Sequence, residues 1–337
     1  MNSNETPKSE HQTDYQMFRE EKHKLFSTPQ ETISEAIEKA TGSRILEQNR
    51  IIAGETNEVQ FVKTESGREL IIRIYHGDKP KFDREKWAIE QCAKAGVPVP
   101  EVLLVEDKEV DNKPIQICVE TKIEGEGLDN VGRTEDSNVT DNLRNLLGKL
   151  GSVLEKIHSI PTKGFGSLDK SGKGKYVSAK DLILNDQFIS GENILPEDQT
   201  IQFDREIVRK AKEVLEKEAV NFSEIESHLI HGDLAPQHVM INGGEISGII
   251  DFEHARGSDP AEEFARWELK FGDRYPIYDI KHGFSDKAVF SGDFEKRKNI
   301  WRLYQGLAIL SYCIREKKQF GVDKAVKGLA ESLSRFG

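Results

Sequence analysis

Cysteine is scarce: Cys92, Cys118 and Cys313 stand far apart among 337 residues, in apolar or helical contexts and without metal-ligand spacing. That excludes a disulfide framework and a cysteine-built metal centre, and the three read as buried thiols. No apolar run approaches the ~20 residues that a membrane helix needs, so no membrane partner is expected. The opening stretch MNSNETPKSEHQTDYQ lacks the apolar core of a signal peptide, and a cytoplasmic location is the expectation. Basic surplus is missing too, since 48 Lys and Arg against 59 Asp and Glu leave a net charge of -11. A nucleic-acid partner is therefore not expected, because phosphate backbones are bound by surplus cations. A nucleotide needs only a local cation, and an acidic surface is compatible with a cationic small substrate.

What is present is densest from Ser227 to Pro260, SHLIHGDLAPQHVMINGGEISGIIDFEHARGSDP. Val239-Met240-Ile241 and Ile246 to Ile250 read as strands joined through Asn242-Gly243-Gly244, a turn suited to positive φ. Folding that hairpin brings His238, before the first strand, beside Asp251, after the second. His231 and Asp233 lie on the loop feeding the same end. Two carboxylates and an imidazole at one mouth could hold a divalent cation and orient a nucleophile. The same side chains, His231, Asp233, His238 and Asp251 with His254, could instead ligate the metal of a hydrolase.

The length exceeds what one hydrophobic core usually supports, so two lobes are expected. Residues 1–24 are polar, lack periodicity and are expected to be mobile. A helix is predicted from Thr28 as N-cap, with Pro29 in its first position, Ile33, Ala36, Ile37 and Ala40 on its apolar face and Gly42 at its end. From Ile45 to Thr121 the period becomes that of strands. Arg50 to Ala53 and Glu58 to Val62 flank Gly54-Glu55-Thr56-Asn57, and Glu65-Ser66-Gly67 turns the chain into Glu69 to Tyr75. Glu101 to Glu106 and Ile115 to Glu120 complete the sheet. In Leu70-Ile71-Ile72-Arg73-Ile74-Tyr75 the cation sits in an apolar run and needs a partner or an exposed face. Gly125-Glu126-Gly127 supplies flexibility between the lobes. Leu143 to Ile157 repeats at helical spacing up to His158, which reads as a structural histidine at a helix C-terminus. Asp259 and Pro260 open a further helix as N-cap and first residue.

His231-Gly232-Asp233 followed by His238, then Gly248-Ile249-Ile250-Asp251-Phe252 and Ser258-Asp259-Pro260, resembles the catalytic core of the aminoglycoside phosphotransferase family. That resemblance implies an α+β, two-lobed protein-kinase-like fold, with a small antiparallel β N-lobe at 25–121 and a mainly helical C-lobe at 122–337. It implies a phosphotransferase with an alcohol group as acceptor, using ATP or GTP and Mg²⁺, with Mn²⁺ as an alternative. His231 and Asp233 would then form the catalytic loop, and Asp251 and His238 the metal site. The turn Gly54, Glu55, Thr56 and Asn57 would lie over the nucleotide phosphates, with Arg73 in place of the kinase strand lysine and Glu85 as its helix partner. Glu120 and Thr121 would be the hinge, whose backbone receives the purine edge. Glu253, Glu262, Glu263 and Glu268 fall where family members line the acceptor pocket, so the partner would be a hydroxylated small molecule that can be cationic. Three departures stand out: Arg73 replaces the strand lysine, His238 replaces the usual Asn, and Glu253 replaces the DFG glycine. Because of them, a non-catalytic nucleotide-binding module stays open as an alternative.

Overall fold

The computed structural model describes residues 20, 21, 23, 24, 26–52, 54, 56–131, 137–186, 201–222 and 224–336. Most of the expected 1–24 segment, Ala53 and Glu55 lie outside them. The chain divides into two compact units, one drawn from Met1–Lys86 and Pro100–Lys122, the other from Trp87–Val99 and Ile123–Gly337.

In the first unit, helix α1 (Gln30–Thr41) precedes strands β1 (Ile45–Ile51), β2 (Asn57–Thr64) and β3 (Glu69–Tyr75), then helix α2 (Phe82–Lys94) begins. Strands β4 (Val102–Val110) and β5 (Lys113–Thr121) complete one antiparallel sheet, in the order β1-β2-β3-β5-β4. Alternation sorts its side chains. Leu70, Ile72 and Ile74 of β3 and Ile115, Ile117 and Val119 of β5 pack with Ile33, Ala36 and Ile37 of α1 into one core. The start of α1 differs from expectation, because Pro29 is the N-cap and makes no side-chain cap bond. The Thr28 hydroxyl donates instead to the buried Glu58 carboxylate, at 2.7 Å. A buried acceptor needs a donor more than an exposed helix end does, since the end can turn to water. At the far end Gly42 takes the left-handed conformation and its N–H bonds to Glu38, as predicted.

The second unit carries β6 (Glu126–Gly127), α3 (Ser137–His158), β7 (Phe165–Leu168), β8 (Gly174–Tyr176), α4 (Ala179–Asn185) and α5 (Arg205–Glu218). Then come β9 (His228–Ile230), the hairpin β10 (Val239–Asn242) and β11 (Glu245–Ile249), β12 (Arg256–Ser258), α6 (Pro260–Phe271), α7 (Ile277–His282), α8 (Phe294–Arg315) and α9 (Gln319–Leu333). The hairpin closes through Gly243 and Gly244, both at positive φ, and pairs Val239 with Ile249. On its other edge β10 pairs with β6. Gly125 is therefore a close-approach residue, not the flexible joint expected: a Cβ there would sit 2.3 Å from the Ile241 carbonyl oxygen. Asp259 caps α6 as expected, accepting from the Ala261 N–H, and its other oxygen takes Arg297 and the Trp301 indole. Trp267, Trp301 and Tyr304 are the largest fully buried side chains among the described residues. All three cysteines are buried thiols outside any disulfide, and burial pushes the Cys92 thiol up to about 12.

Helices α3 and α7 touch backbone to backbone. A Cβ on Gly283 would lie 1.6 Å from the Gly148 carbonyl oxygen, and one on Gly151 would lie 1.9 Å from that of Ile280. Neither obstacle is a movable side chain. Gly283→Ala is therefore expected to destabilise the protein by at least the ~1–3 kcal/mol of core overpacking. A melting temperature equal to that of the parent would show that the two helices part freely.

Candidate active site

The hairpin builds the site from its open end. The Ile250 N–H donates to the His238 carbonyl at 3.0 Å, which continues the ladder by one bond and sets Asp251 beside His238. The His238 Nδ1–H reaches back to the Asp233 carbonyl, at 3.0 Å, and its Nε2 lies 3.4 Å from Asp251 Oδ2. Asp251 takes the left-handed conformation, φ 69°, a geometry that Asp tolerates better than most residues. It leads into a short turn, Phe252–His254.

His231 is wholly buried, and burial lowers its pKa, so the ring is neutral. Its Nε2–H donates to the Ile250 carbonyl at 3.0 Å, and its Nδ1 accepts the Asp233 N–H at 3.3 Å. Both ring nitrogens are thus engaged by backbone, which leaves no free lone pair for a metal. His254 is exposed, with its Nε2 3.4 Å from Glu253. A multi-histidine hydrolase centre therefore has no support from these rings. His238 and Asp251 are another matter. With Nδ1 tied to backbone, the His238 Nε2 is turned toward the Asp251 carboxylate, an oriented donor pair that fits one divalent cation.

The α6 helix holds the loop from beneath. Glu263, Arg266 and Lys270 fall at i, i+3 and i+7, which places them on one face. Glu263 accepts the N–H groups of His231, at 2.6 Å, and Gly232, at 3.1 Å. One turn on, the Arg266 guanidinium donates to Asp233 Oδ1, and Lys270 Nζ stands 3.6 Å from the same oxygen. Burial would raise the Asp233 pKa, but Arg266 above all, then Lys270, His254 and His238, hold it well below the usual carboxylate range. Three successive loop residues are thus fixed by three side chains of one helix. Sequence reasoning missed Arg266 and Lys270, although their spacing downstream of the SDP cap carried the signal.

The glutamates expected to face an acceptor have internal partners. Glu262 is fully buried; it accepts from Ser258 and from Gln305, at 2.6 Å, and lies 3.4 Å from Arg256. Burial raises its pKa against the pull of Arg256. Glu263 is buried beneath the loop, with His158 Nε2 3.7 Å away. Glu268 is held by Lys298, Arg302 and Arg335, at 2.8, 3.2 and 3.2 Å. Glu253 is buried within its short turn.

In the first unit, Arg73 is buried with two carboxylates, Glu85 at 2.7 Å and Glu120 at 3.1 Å. Its face of the sheet explains the second partner. Arg73 pairs with Cys118 across β5, and Glu120 lies two residues along on that same face. The Thr121 N–H donates to the Glu101 carbonyl, so this part of the expected hinge is bonded within the sheet. Of the expected phosphate turn, Gly54 has φ 72° and Asn57 is buried at the start of β2, while Glu55 lies outside the described residues. Lys81, another residue the sequence reading passed over, donates to the Thr56 hydroxyl at 3.3 Å and packs over the Tyr75 ring.

Known proteins match this chain in sequence and in fold. The profile of the phosphotransferase enzyme family matches residues 47–271. Hygromycin-B 4-O-kinase of Escherichia coli is 24% identical over 204 residues, 59% of this chain and 55% of that protein, so the chain spans about half the length of this curated relative. The ternary complex of the aminoglycoside phosphotransferase APH(4)-Ia with AMP-PNP and hygromycin B superposes with a TM-score of 0.72 at 20% identity, covering 90% of this chain and 98% of that one. The GDP and kanamycin complex of an APH(2") enzyme gives 0.59 at 18% identity, over 90% and 99%. At these identities the structural likeness shows the fold, and it is the two-lobed α+β fold expected from the motifs.

Proposed function

Since this chain belongs to the phosphotransferase enzyme family, we propose that it transfers the γ-phosphoryl group of ATP or GTP to a hydroxyl of a small molecule, with Asp233 orienting that hydroxyl. The observation that carries the reading is the triple hold of α6 on the loop at 231–233, which fixes one carboxylate in place. The relatives named for hygromycin B and kanamycin, with AMP-PNP or GDP bound beside them, support both the nucleotide and the hydroxylated acceptor.

In the proposed reaction the acceptor oxygen forms a bond to the γ-phosphorus. The bond from that phosphorus to the bridging oxygen breaks, and its electron pair leaves with the nucleoside diphosphate. Asp233 accepts a hydrogen bond from the hydroxyl and points it in line. Held far below the usual carboxylate range, it is a weak base, and the proton is lost to solvent or phosphoryl oxygens as the bond forms. A loose transition state needs alignment more than early deprotonation, which suits such a group. His231 serves by position, holding the loop to Ile250, the residue that follows β11. In the first unit Arg73, braced by Glu85 and Glu120, and the 54–57 turn hold nucleotide phosphates.

Asp251 and His238 would hold the divalent ion, Mg²⁺ or Mn²⁺, the latter being better suited to an imidazole nitrogen. Such an ion offsets charge on the β and γ oxygens. Turnover of ATP and GTP with Mg²⁺ or Mn²⁺, measured against a panel of hydroxylated sugars and amino alcohols, tests the proposal. Phosphoester formation by at least one acceptor is expected; tight nucleotide binding without turnover would leave only a binding module.

A further inference from the structure

The chain as a whole is acidic, but two cations of one helix face converge on the Asp233 carboxylate. Asp233 Oδ1 receives both Arg266 and Lys270. One cation would balance it, so the second is surplus. The other arm of Arg266 goes to a neutral oxygen, Gln305 Oε1, at 3.1 Å. Each carboxylate of α6 is held elsewhere: Glu262 by Arg256 and Gln305, Glu263 by the loop N–H groups, Glu268 by three cations. Lys324 of α9 donates to the Lys270 carbonyl at 3.3 Å, which brings a further cation to this end of α6. The Lys270 side chain is one-third exposed, and its ammonium stands 3.6 Å from the reacting carboxylate and over the Phe271 ring. Burial of its stem and the adjacent Arg266 charge push the amine down to about 8, the shift of a cation short of anions.

We infer that the acceptor carries an anionic group, a carboxylate or a phosphate, beside the hydroxyl to be phosphorylated, and that Lys270, with Arg266 behind it, reads that group. The inference rests on the phosphotransferase reading above and deepens it. Lys270 is a specificity residue here; the bonds made and broken are unchanged. An anion at this point neutralises the surplus charge and stands one hydroxyl away from Asp233. A polycation would meet two fixed cations before reaching the carboxylate.

The test uses the full chain with ATP or GTP and four acceptors of matched size: gluconate, glucose 6-phosphate, glucose and glucosamine. The expected result is a kcat/KM at least about tenfold higher for an anionic acceptor, the scale of one charge-assisted contact. Lys270→Ala should raise KM for that acceptor about tenfold with kcat less affected, and Lys270→Arg should restore it. Gluconate and glucose 6-phosphate separate carboxylate from phosphate. The anionic acceptor's kcat/KM should also fall as pH rises through about 8, because Lys270, facing Arg266, Asp233 and Lys324, loses its charge there. That limb should vanish in Lys270→Arg. Preference for glucosamine or glucose, or an equal loss on all acceptors in Lys270→Ala, would overturn the inference while leaving phosphotransfer standing. Absence of phosphoester from every acceptor, with nucleotide bound, would overturn the phosphotransferase reading and this inference with it.

Discussion

Asp233→Asn is expected to lower turnover about a thousandfold, inside the ~10²–10⁴ range of a positioned acid–base group. Nucleotide affinity should stay nearly unchanged, because no nucleotide-holding role falls to this side chain. The amide keeps the size and one acceptor oxygen, so the loop has no steric reason to move. It loses the charge, and with it the partner of both Arg266 and Lys270. Two cations then face each other across a neutral group, and the oxygen that should receive the hydroxyl is no longer pinned. Since alignment is the proposed role, the loss should appear in kcat, with the acceptor KM a secondary effect. A variant with near-parental kcat would remove Asp233 from the reaction, whatever the fold.

The second large effect lies in the other unit. Arg73→Met should destabilise the protein by about 3–5 kcal/mol, the range for removing one partner of a buried ion pair. The methionine stem replaces much of the arginine's apolar volume, so a cavity is not the reason. The reason is charge: Glu85 and Glu120, both buried, would lose the guanidinium that both now meet. Arg73→Lys should recover only part of the loss, because an ammonium on a shorter stem cannot match a guanidinium fork between two carboxylates. Triple replacement with Glu85→Gln and Glu120→Gln should recover more, since it removes the two buried charges as well. Urea midpoints of the variants decide the matter. A midpoint for Arg73→Met equal to that of the parent would mean that water reaches this ion triad freely.

How far the sequence could be read follows from which contacts are local. The hairpin was legible because its strands alternate and Asn242-Gly243-Gly244 allows only a tight turn, so the meeting of His238 with Asp251 came almost unaided. The Arg73–Glu85 pair was legible too, since a charge within an apolar strand must be answered. Glu120 as a second partner was not, because β3 and β5 are neighbours in the sheet without being neighbours in the chain. The helix glutamates show a different limit. Five charged residues in twelve mark α6, but charge alone does not say which face turns inward. Glu262 and Glu263 are buried because their partners, Arg256 and the loop N–H groups, come from other elements. The same helix face would have yielded Arg266 and Lys270 had the spacing from Glu263 been followed. Thr28 was misjudged for a related reason: its better partner, Glu58, lies thirty residues on.

The account turns on one carboxylate, aligned by one helix, receiving an acceptor hydroxyl. A single-turnover quench with nucleotide labelled in the γ-phosphoryl group tests this most directly, run on the parent and on Asp233→Asn at saturating nucleotide. Label should pass to the acceptor as a phosphoester in the parent and remain on bound nucleotide in the variant. Label released as inorganic phosphate at equal rates from both, with none on any acceptor, would contradict the account.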